Sequence, residues 1–207
     1  VNNSENKAVV EELISMGEVS ESELSLLLAN FAVQLYYQKE NIAFEKNDVL
    51  FDYMGSHSDE EFCKLIVDLL RGGSSCANQS EHLKSIMNKR LYFEPAEDSL
   101  GFVYSSLRDI GQRKLAGAYY TPERIVTEII ENLDLHSSDN TIKFFDPGCG
   151  AGNFLIALAN KFGNHAELYG QDCDHTSVLI ARINLFLTDT TLTAKYLREH
   201  INIGDTL

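Results

Sequence analysis

Residues 144–154 read FFDPGCGAGNF and carry the strongest local signal in the chain. Three glycines, Gly148, Gly150 and Gly152, occupy alternate positions shortly after an aspartate, Asp146. Because glycine has no Cβ, backbone N–H groups at such positions can approach a bound ligand closely. The segment therefore predicts a ligand-binding turn, and the acid that precedes the glycines limits which ligand fits.

The sequence around this turn alternates between strand and helix patterns. The strand-like segments TIKFFD, ELYGQD and HINIGD are separated by the helical segments NFLIALANKF and HTSVLIARINLFL. Such alternation predicts a parallel sheet with crossover helices, and ligands of these sheets bind at the carboxyl ends of the strands. Asp146, Asp172 and Asp205 are the last residues of the three predicted strands, so we expect three carboxylates along one rim of the sheet.

A further helix is predicted just before the first strand. In the segment GAYYTPERIVTEIIENL, Thr121 is expected as the N-cap and Pro122 as the first helical residue. Ile125, Ile129 and Leu133 then recur at helical spacing and predict the apolar face of this helix.

The first half of the chain is expected to be helical. Residues 20–36 begin with a capping box, Ser20 and Glu23, and continue with an apolar stripe at helical spacing. The members of that stripe are Leu24, Leu27, Leu28, Phe31 and Leu35.

A second helix of the same design is predicted at residues 58–73, with Ser58 and Glu61 as the capping box and Gly72 at the C-terminal cap. No strand pattern interrupts the weaker helical patterns, which occupy residues 5–16, 79–90 and 97–109. We therefore predict a helical domain over residues 1–112 and interpret it as a packing or partner-docking module without chemistry of its own.

The composition suits one medium-sized domain, or a small domain joined to part of another, with 207 residues of which 44% are hydrophobic. No run of about 18 apolar residues occurs and the start of the chain does not resemble a signal peptide, so no membrane association is expected. The four cysteines form neither a C-x-x-C pair nor a zinc spacing. Scattered cysteines indicate reduced thiols, and hence a cytoplasmic protein without a metal site.

The net charge is −14, and both halves of the chain are acidic. Because DNA phosphates are bound by clustered cations, neither half resembles a nucleic-acid-binding surface. Small basic groups occur at Lys89–Arg90 and Arg113–Lys114, and most such pairs are simply solvated. We expect DNA affinity to lie largely in other regions or in partner subunits.

Three classes of ligand compete for the glycine turn. A phosphate-binding P-loop requires a lysine after the glycines, and none follows here. A dinucleotide site requires G-x-G-x-x-G, but Asn153 occupies the third glycine position and Asp146 would repel the pyrophosphate. S-adenosyl-L-methionine, the third candidate, has no phosphate and combines an ammonium, a carboxylate, a ribose and an adenine.

Each strand-end acid matches one donor group of S-adenosyl-L-methionine. Asp146 favours the cationic amino-acid end, directly or by orienting backbone groups, and the helix that starts near Asn153 offers N–H groups to the carboxylate. Asp172 is placed to accept hydrogen bonds from both ribose hydroxyls, and Asp205 from the exocyclic amine of adenine. The alternative for any one acid is a turn cap, which is the interpretation that we favour for Asp174.

Four segments in this order, YYTP, DPGCGAGNF, GQDCD and INIGDTL, resemble the cofactor motifs of the DNA adenine-N6 methyltransferases of restriction–modification systems. The resemblance covers residues 112–207 and implies the first half of a Rossmann-like, S-adenosylmethionine-dependent methyltransferase sheet over residues 113–207. The helical half is similar in architecture to the helical region of type I modification subunits and fused restriction–modification enzymes. The family thus implies an α/β protein with an N-terminal helical bundle, DNA as substrate, and specificity or restriction subunits or domains as partners.

The resemblance also implies cofactor-binding residues, which are Tyr120, Thr121, Pro122, Asp146, Gly148, Gly150, Gly152, Phe154, Asp172, Cys173 and Asp205. The first three would border the methionine moiety, with the Thr121 hydroxyl near its carboxylate. Phe154 would pack beneath the turn or serve only as helix core, while Cys173 would touch the adenine face and Leu207 would flank the ring. Cys149 follows the family pattern and is expected to be a small packed hydrophobe rather than a nucleophile.

One part of the family pattern has no counterpart in the sequence. The family's catalytic motif is an Asn or Asp followed by Pro-Pro and an aromatic residue, and none of the three prolines here belongs to a Pro-Pro pair. That motif accepts hydrogen bonds from the target amine of a flipped base, so we assign no catalytic residue. We expect the chain to be an amino-terminal fragment, truncated before the catalytic motif and inactive by itself.

Two alternatives remain open from the sequence. The complete enzyme could methylate RNA, a protein or a cytosine amine instead of adenine in duplex DNA. A non-catalytic assembly scaffold that retains the fold is the alternative from another class, and cofactor binding distinguishes it from a methyltransferase.

Overall fold

A computed structural model describes residues 4–71, 80–108, 121–133 and 141–206, and in these residues the protein is a helix-rich α/β fold. The helices are α1 (Ser4–Ser15), α2 (Glu21–Lys39), α3 (Leu50–Ser56), α4 (Glu61–Arg71), α5 (Glu81–Met87), α6 (Ser99–Leu107), α7 (Glu123–Glu131), α8 (Asn153–Phe162), α9 (His175–Thr188) and α10 (Ala194–His200). The strands are β1 (Ile142–Asp146), β2 (Ala166–Asp172) and β3 (Ile201–Ile203). The described residues before β1 contain no strand, as their helical patterns predict.

The three strands form one parallel sheet in the order β1–β2–β3. Helix α8 connects β1 to β2, and α9 with α10 connects β2 to β3, so the predicted parallel sheet with crossover helices is confirmed. In the ladder, Asp146 lies opposite Gly170 and Asp172 lies opposite Ile203. The strand ends that carry Asp146 and Asp172 are therefore neighbours at the same end of the sheet.

The third strand ends earlier than its prediction. HINIGD is expected to run to Asp205, but β3 ends at Ile203, and the Gly204 amide makes a last hydrogen bond to the Asp172 carbonyl at 2.9 Å. His200 belongs to α10, whose seven residues are too few to show a clear helical period in the sequence. Asp205 therefore lies in the loop after the strand.

Helix α9 is the central element of the fold. Every residue from Ser177 to Leu187 is buried, because the helix packs against α8, β2 and β3 and also against α2, α4 and α6. One hydrophobic core consequently includes residues from α1 through to β3. The helical half and the sheet share this core, and the predicted domain boundary near residue 112 lies outside the described residues.

The first predicted capping box is confirmed and the second is wrong. The Glu23 amide donates to the Ser20 hydroxyl at 3.3 Å, and the Ser20 amide donates to the Glu23 carboxylate at 3.0 Å. The predicted apolar stripe of α2 is buried, and the middle of the helix is buried on its other faces too. Helix α4 does not begin near Ser58 but at Glu61, whose carboxylate accepts a hydrogen bond from the Ala194 amide at 2.6 Å.

The weaker helical patterns of the first half correspond to α1, α5 and α6. Ser80 and Asp98 cap α5 and α6 with their side chains. Helix α3 was not predicted, because it has seven residues and buries only Leu50 and Tyr53. Gly72, the predicted C-terminal cap, lies outside the described residues.

Helix α7 begins one residue later than predicted. Pro122 is its N-cap rather than its first residue, because a ψ of 134° keeps Pro122 extended. The Pro122 carbonyl accepts the first helical hydrogen bonds from the amides of Ile125 and Val126, at 2.9 and 3.2 Å. Thr121, the predicted N-cap, therefore lies before the cap.

The buried face of α7 also differs from the prediction. Ile125 and Ile129 are 45% and 46% exposed, and only Leu133 of the predicted face is partly buried. The adjacent row, Val126 and Ile130, is buried in a cluster shared with α8. Both rows have the same i, i+4 spacing, so periodicity alone does not select between them.

Candidate functional site

Two acids organise the glycine turn by accepting its backbone N–H groups. The Gly148 amide donates to Oδ1 of Asp146 at 3.1 Å, within the turn itself. The Gly150 amide donates to Oδ2 of Asp172 at 2.9 Å, across to the end of β2. The turn, Asp146 and Asp172 therefore form one connected structure at the carboxyl ends of β1 and β2.

The three glycines of the turn are not equivalent. Gly150 and Gly152 have φ angles of +50° and +93°, a region that residues with a Cβ rarely adopt. A Cβ on Gly152 would also lie 3.2 Å from the Cβ of Ala181 in α9. Around Gly148, in contrast, no described atom lies within 4 Å of the place that a Cβ would take. Contacts with the described residues therefore do not require glycine at this position, whereas a ligand bound close to the backbone would.

Asp172 has acceptor capacity beyond its contacts within the protein. Its Oδ2 accepts a hydrogen bond from the Gly150 amide, and its Oδ1 accepts one from the Asp174 amide at 2.8 Å. A carboxylate has about four lone-pair sites, so each oxygen can accept a further hydrogen bond. Two adjacent hydroxyl donors, such as those of a ribose, match this arrangement.

The charges of the rim favour a cationic ligand group. The pKa of Asp146 lies above its usual value. Burial and the charge of Asp172 raise this pKa, and the hydrogen bond from Gly148 only partly opposes them. The two carboxylates are thus close enough to interact. A phosphate at this place would be repelled by both, whereas an ammonium group would be attracted.

The segment after β3 lies against the same rim. The Thr206 hydroxyl donates to the Pro147 carbonyl at 2.6 Å, and the Gln171 side-chain amide donates to the Asp205 carbonyl at 3.0 Å. Asp205 itself is exposed. The three predicted acids are therefore brought to one end of the sheet, with Asp205 in a loop.

The segment before α7 reaches the glycine turn through Asn153. The side-chain amide of Asn153, the first residue of α8, donates to the Thr121 carbonyl at 2.8 Å. Thr121 and Pro122 thus lie beside the turn, and Tyr120 lies outside the described residues. The contact of the Asn153 side chain is not predicted from the sequence, although a polar residue at a helix start is itself a signal for such a contact.

Other predicted residues differ in their surroundings. Phe154 packs against the apolar cluster between α7 and α8, which favours its interpretation as helix core. Cys173 is exposed, whereas Cys149 is buried. Burial and the charges of Asp146 and Asp172 raise the pKa of Cys149 to about 12, so its thiol stays protonated and is a poor nucleophile.

Asp174 caps α9, which confirms the interpretation as a turn cap, and its carboxylate also binds side chains of α6 and its C-cap. Its carboxylate accepts the amides of Thr176 and Ser177 at 3.1 and 3.4 Å. The Tyr104 hydroxyl donates to the same carboxylate at 3.0 Å, and Arg108 forms an ion pair with it. These contacts with Tyr104 and Arg108 are not predictable from the sequence, because they join segments that are far apart in the chain.

The basic pair Lys89–Arg90 is occupied by contacts within the protein. Lys89 forms an ion pair with Glu12, and the Arg90 guanidinium lies 4.4 Å over the ring of Phe44. The second basic pair lies outside the described residues. Within the part of the chain that is described, no group of His, Cys, Asp and Glu residues is arranged to hold a metal ion, and no helix is long and apolar enough to cross a membrane.

A parallel sheet with acids after its strands and a glycine turn that leads into a helix defines an α/β protein, and in open sheets of this class ligands bind at this end of the strands. Residues 96–207 match the N-6 DNA Methylase family, and the chain belongs to this family. The resemblance based on four sequence motifs is therefore confirmed, and the match begins before α6, in the helical half.

Relatives of the chain bear the names of methylases from restriction–modification systems. The chain is 29% identical over 113 residues to the type I restriction enzyme MjaVII methylase subunit of Methanocaldococcus jannaschii, covering 52% of this chain and 19% of that protein. It is 29% identical over 118 residues to the type II methyltransferase M.VspI of Vibrio sp., covering 56% and 28%. With the type I restriction enzyme MpnII methylase subunit of Mycoplasma pneumoniae, identity is 24% over 190 residues, covering 78% and 34%. The chain thus spans about a third or less of the length of these relatives.

Proposed function

We propose that the rim formed by Asp146, Asp172 and Asp205 binds S-adenosyl-L-methionine as part of a DNA methyltransferase. The observation that carries the proposal is the hydrogen bond from the Gly150 amide to Asp172, which joins the glycine turn to the predicted ribose acid. A ligand that binds Asp172 is thereby held against the turn as well. Membership of the N-6 DNA Methylase family supports the same cofactor.

Each part of the rim would bind a different part of the cofactor. Asp172 would accept hydrogen bonds from the ribose hydroxyls with the lone pairs that Gly150 and Asp174 leave open. Asp205 would accept from the exocyclic amine of adenine, with the exposed Cys173 beside the ring. At the other end of the cofactor, Asp146 would attract the ammonium group, and the first-turn amides of α8 would bind the carboxylate.

The neighbouring segments would complete the pocket. Thr121 and Pro122, held beside the turn by Asn153, would border the methionine moiety together with Tyr120. The space at Gly148, which no described residue fills, would admit the cofactor close to the backbone. Phe154 would act indirectly, by fixing α8 against α7.

The finer proposal concerns the reaction. S-adenosylmethionine supplies a methyl group from its sulfonium, and we assign the exocyclic amine of adenine in duplex DNA as the acceptor. The family description and the names of the relatives support this assignment. The residues of this chain would bind and orient the cofactor. Because the chain carries a net charge of −14, we assign most DNA contacts to other segments or to specificity and restriction subunits.

Isothermal titration calorimetry of the purified chain tests the cofactor assignment. We expect binding of S-adenosylmethionine and of its demethylated product, S-adenosylhomocysteine. We expect no binding of ATP or NAD⁺, whose phosphates would face Asp146 and Asp172. Preferential binding of ATP or NAD⁺ would contradict the proposal, and loss of all binding would favour the assembly-scaffold alternative.

A further inference from the structure

The N-terminus of α6 is attached to the glycine turn through one buried amide. Nδ2 of Asn184, in α9, donates to Oδ1 of Asp98 at 2.7 Å and to the Ala151 carbonyl at 3.0 Å. Asp98 is the N-cap of α6 and also accepts the Gly101 amide at 2.7 Å. Asp98 and Asn184 are only 1% and 5% exposed, so water competes little for these hydrogen bonds.

The backbone of α6 also packs directly on the turn. A Cβ on Gly101 would lie 2.5 Å from the Cβ of Ala151 and 2.0 Å from Oδ2 of Asp98. Both distances are far below van der Waals contact, so this close approach requires glycine. Helix α6 is therefore linked to the turn in two ways, indirectly through Asn184 of α9 and directly through its own backbone at Gly101.

The hydrogen bond from Asn184 to the Ala151 carbonyl fixes the orientation of the peptide group between Ala151 and Gly152. Because a peptide group is planar, this carbonyl shares its plane with the Gly152 amide, which donates to the Cys149 carbonyl at 2.8 Å. Ala151 lies between Gly150 and Gly152, two residues with positive φ and without side chains to hold them. The hydrogen bond to the Ala151 carbonyl thus restrains the part of the turn whose backbone has the greatest conformational freedom.

Capping α6 does not by itself require a buried carboxylate. Serine, threonine and asparagine are also good N-caps. With aspartate at position 98, Oδ2 is buried and has no hydrogen-bond partner among the described residues, which is energetically unfavourable. The contact that a shorter N-cap could not make is the one with Asn184.

We propose that Asp98 and Asn184 are positioning residues for the cofactor, a proposal that rests on the proposed function. Asp98 orients the Asn184 amide, and Asn184 holds the Ala151 peptide in the conformation that the cofactor meets. Through α6, the helical half is then part of the cofactor site rather than only a packing module. Changes in α6 alter cofactor affinity without any contact between α6 and the cofactor.

Calorimetry on Asp98→Ser, Asn184→Ala and the double variant tests the affinity. Serine still caps α6 but is too short to reach Asn184. We expect each single variant to bind S-adenosylmethionine roughly three- to tenfold more weakly. The double variant should be no weaker than the worse single variant, because all three lose the same link. Asp98→Asn keeps a side-chain oxygen that accepts from the Gly101 amide and from Asn184, so this variant should retain wild-type affinity.

A cofactor-free measurement separates this proposal from the proposed function. In ¹⁵N NMR spectra of the protein alone, the amide signals of Gly150 and Gly152 should shift in Asp98→Ser and Asn184→Ala, and return in Asp98→Asn. Unchanged glycine signals would overturn the positioning role, whatever the wild type binds. Shifted signals in a protein that binds no S-adenosylmethionine would refute the proposed function and leave the restraint on the turn standing. If Asn184→Ala fails to fold, Asp98→Ser decides.

Asn30→Ala is the matched control for loss of a buried amide. Asn30 is fully buried in α2, and its Nδ2 donates to the carbonyls of Asn47 and Met87 at 2.9 and 3.0 Å, outside the turn. Its variant should lose stability yet keep both the glycine signals and the affinity of the folded fraction. If Asn30→Ala loses as much affinity as Asn184→Ala, the effect at Asn184 is explained by general destabilisation, and the proposal is overturned.

Discussion

The Gly150 amide donates a hydrogen bond to Oδ2 of Asp172 at 2.9 Å, although the two residues are 22 positions apart in the chain. They meet because β1 and β2 pair in parallel, so that the turn after β1 lies beside the end of β2. A glycine motif and an acid that are separate in the sequence thus form one structure. A substitution of Asp172 should therefore alter the conformation of the glycine turn at Gly150.

The buried carboxyl of Asp98 should make stability depend on pH. Burial, only partly offset by the hydrogen bonds from Gly101 and Asn184, raises its pKa from 3.8 to about 6. Between these pH values the folded protein holds a proton that the unfolded chain releases, so stability falls as the pH rises from about 4 to about 6. Asp98→Asn removes this loss and should raise the free energy of unfolding at neutral pH by up to about 3 kcal/mol.

Urea unfolding of wild type and Asp98→Asn across this pH range measures the effect. Asp48 and Asp146 also have raised pKa values, but they are present in both proteins and cancel in the difference. The difference in unfolding free energy should grow with pH and level off above about pH 6. A constant difference would show that Asp98 does not titrate as a buried acid.

Alanine at Gly101 should destabilise the protein by about 1–3 kcal/mol, the usual cost of overpacking. The added Cβ would overlap Asp98 and Ala151. Gly55→Ala in α3 is the matched control, because no described atom lies within 4 Å of its Cβ position, and it should be neutral or stabilising. Thermal unfolding compares the two variants, and similar melting temperatures would contradict the close packing of α6 on the turn.

Alanine at Gly148 should separate binding from folding. No described residue fills the space around this position, so Gly148→Ala should change the free energy of unfolding by no more than about 0.5 kcal/mol. The added methyl group would occupy space assigned to the cofactor and should weaken its binding at least about tenfold, or ~1.4 kcal/mol. Calorimetry and urea unfolding on the same sample measure both quantities. Unchanged affinity would place the cofactor away from this part of the turn.

The 207-residue chain should not methylate DNA by itself. Its sequence contains no Pro-Pro pair, and its net charge of −14 should repel the DNA backbone most strongly at low salt. A radiolabelled-cofactor assay on mixed-sequence DNA, with an active adenine methyltransferase as positive control, should give no transfer above background. Turnover by the purified chain would show that catalytic residues lie within it.

The sheet and the first two acids of the rim were predictable because their signals are local. A strand pattern that ends in Asp146 or Asp172 and continues into a helix pattern can be recognised within about twenty residues. The loop position of Asp205 was not predictable, because β3 has only three residues and follows directly on α10. Such short elements carry too little pattern to define their boundaries.

The contacts that restrain the turn were not predictable, because they join distant segments. Asn184 lies in an apolar helix, and its partner Asp98 is 86 positions away. The exposed and buried rows of α7 present the same difficulty. Ile125 and Ile129 are equivalent in sequence pattern to Val126 and Ile130, and the packing of α8 determines which row is buried.

Calorimetric titration of S-adenosylmethionine into wild type, Asp172→Ala and Asp189→Ala tests the central claim most directly. Asp189 is the matched control, since it also accepts a local backbone amide, that of Thr191 at 2.9 Å, but lies at the opposite end of α9. Asp172→Ala loses the ribose acceptor and the bond to Gly150, so its binding should be weaker by roughly 1–3 kcal/mol. Asp189→Ala should bind like the wild type. Equal affinities of the wild type and Asp172→Ala would contradict the assignment of this rim to the cofactor.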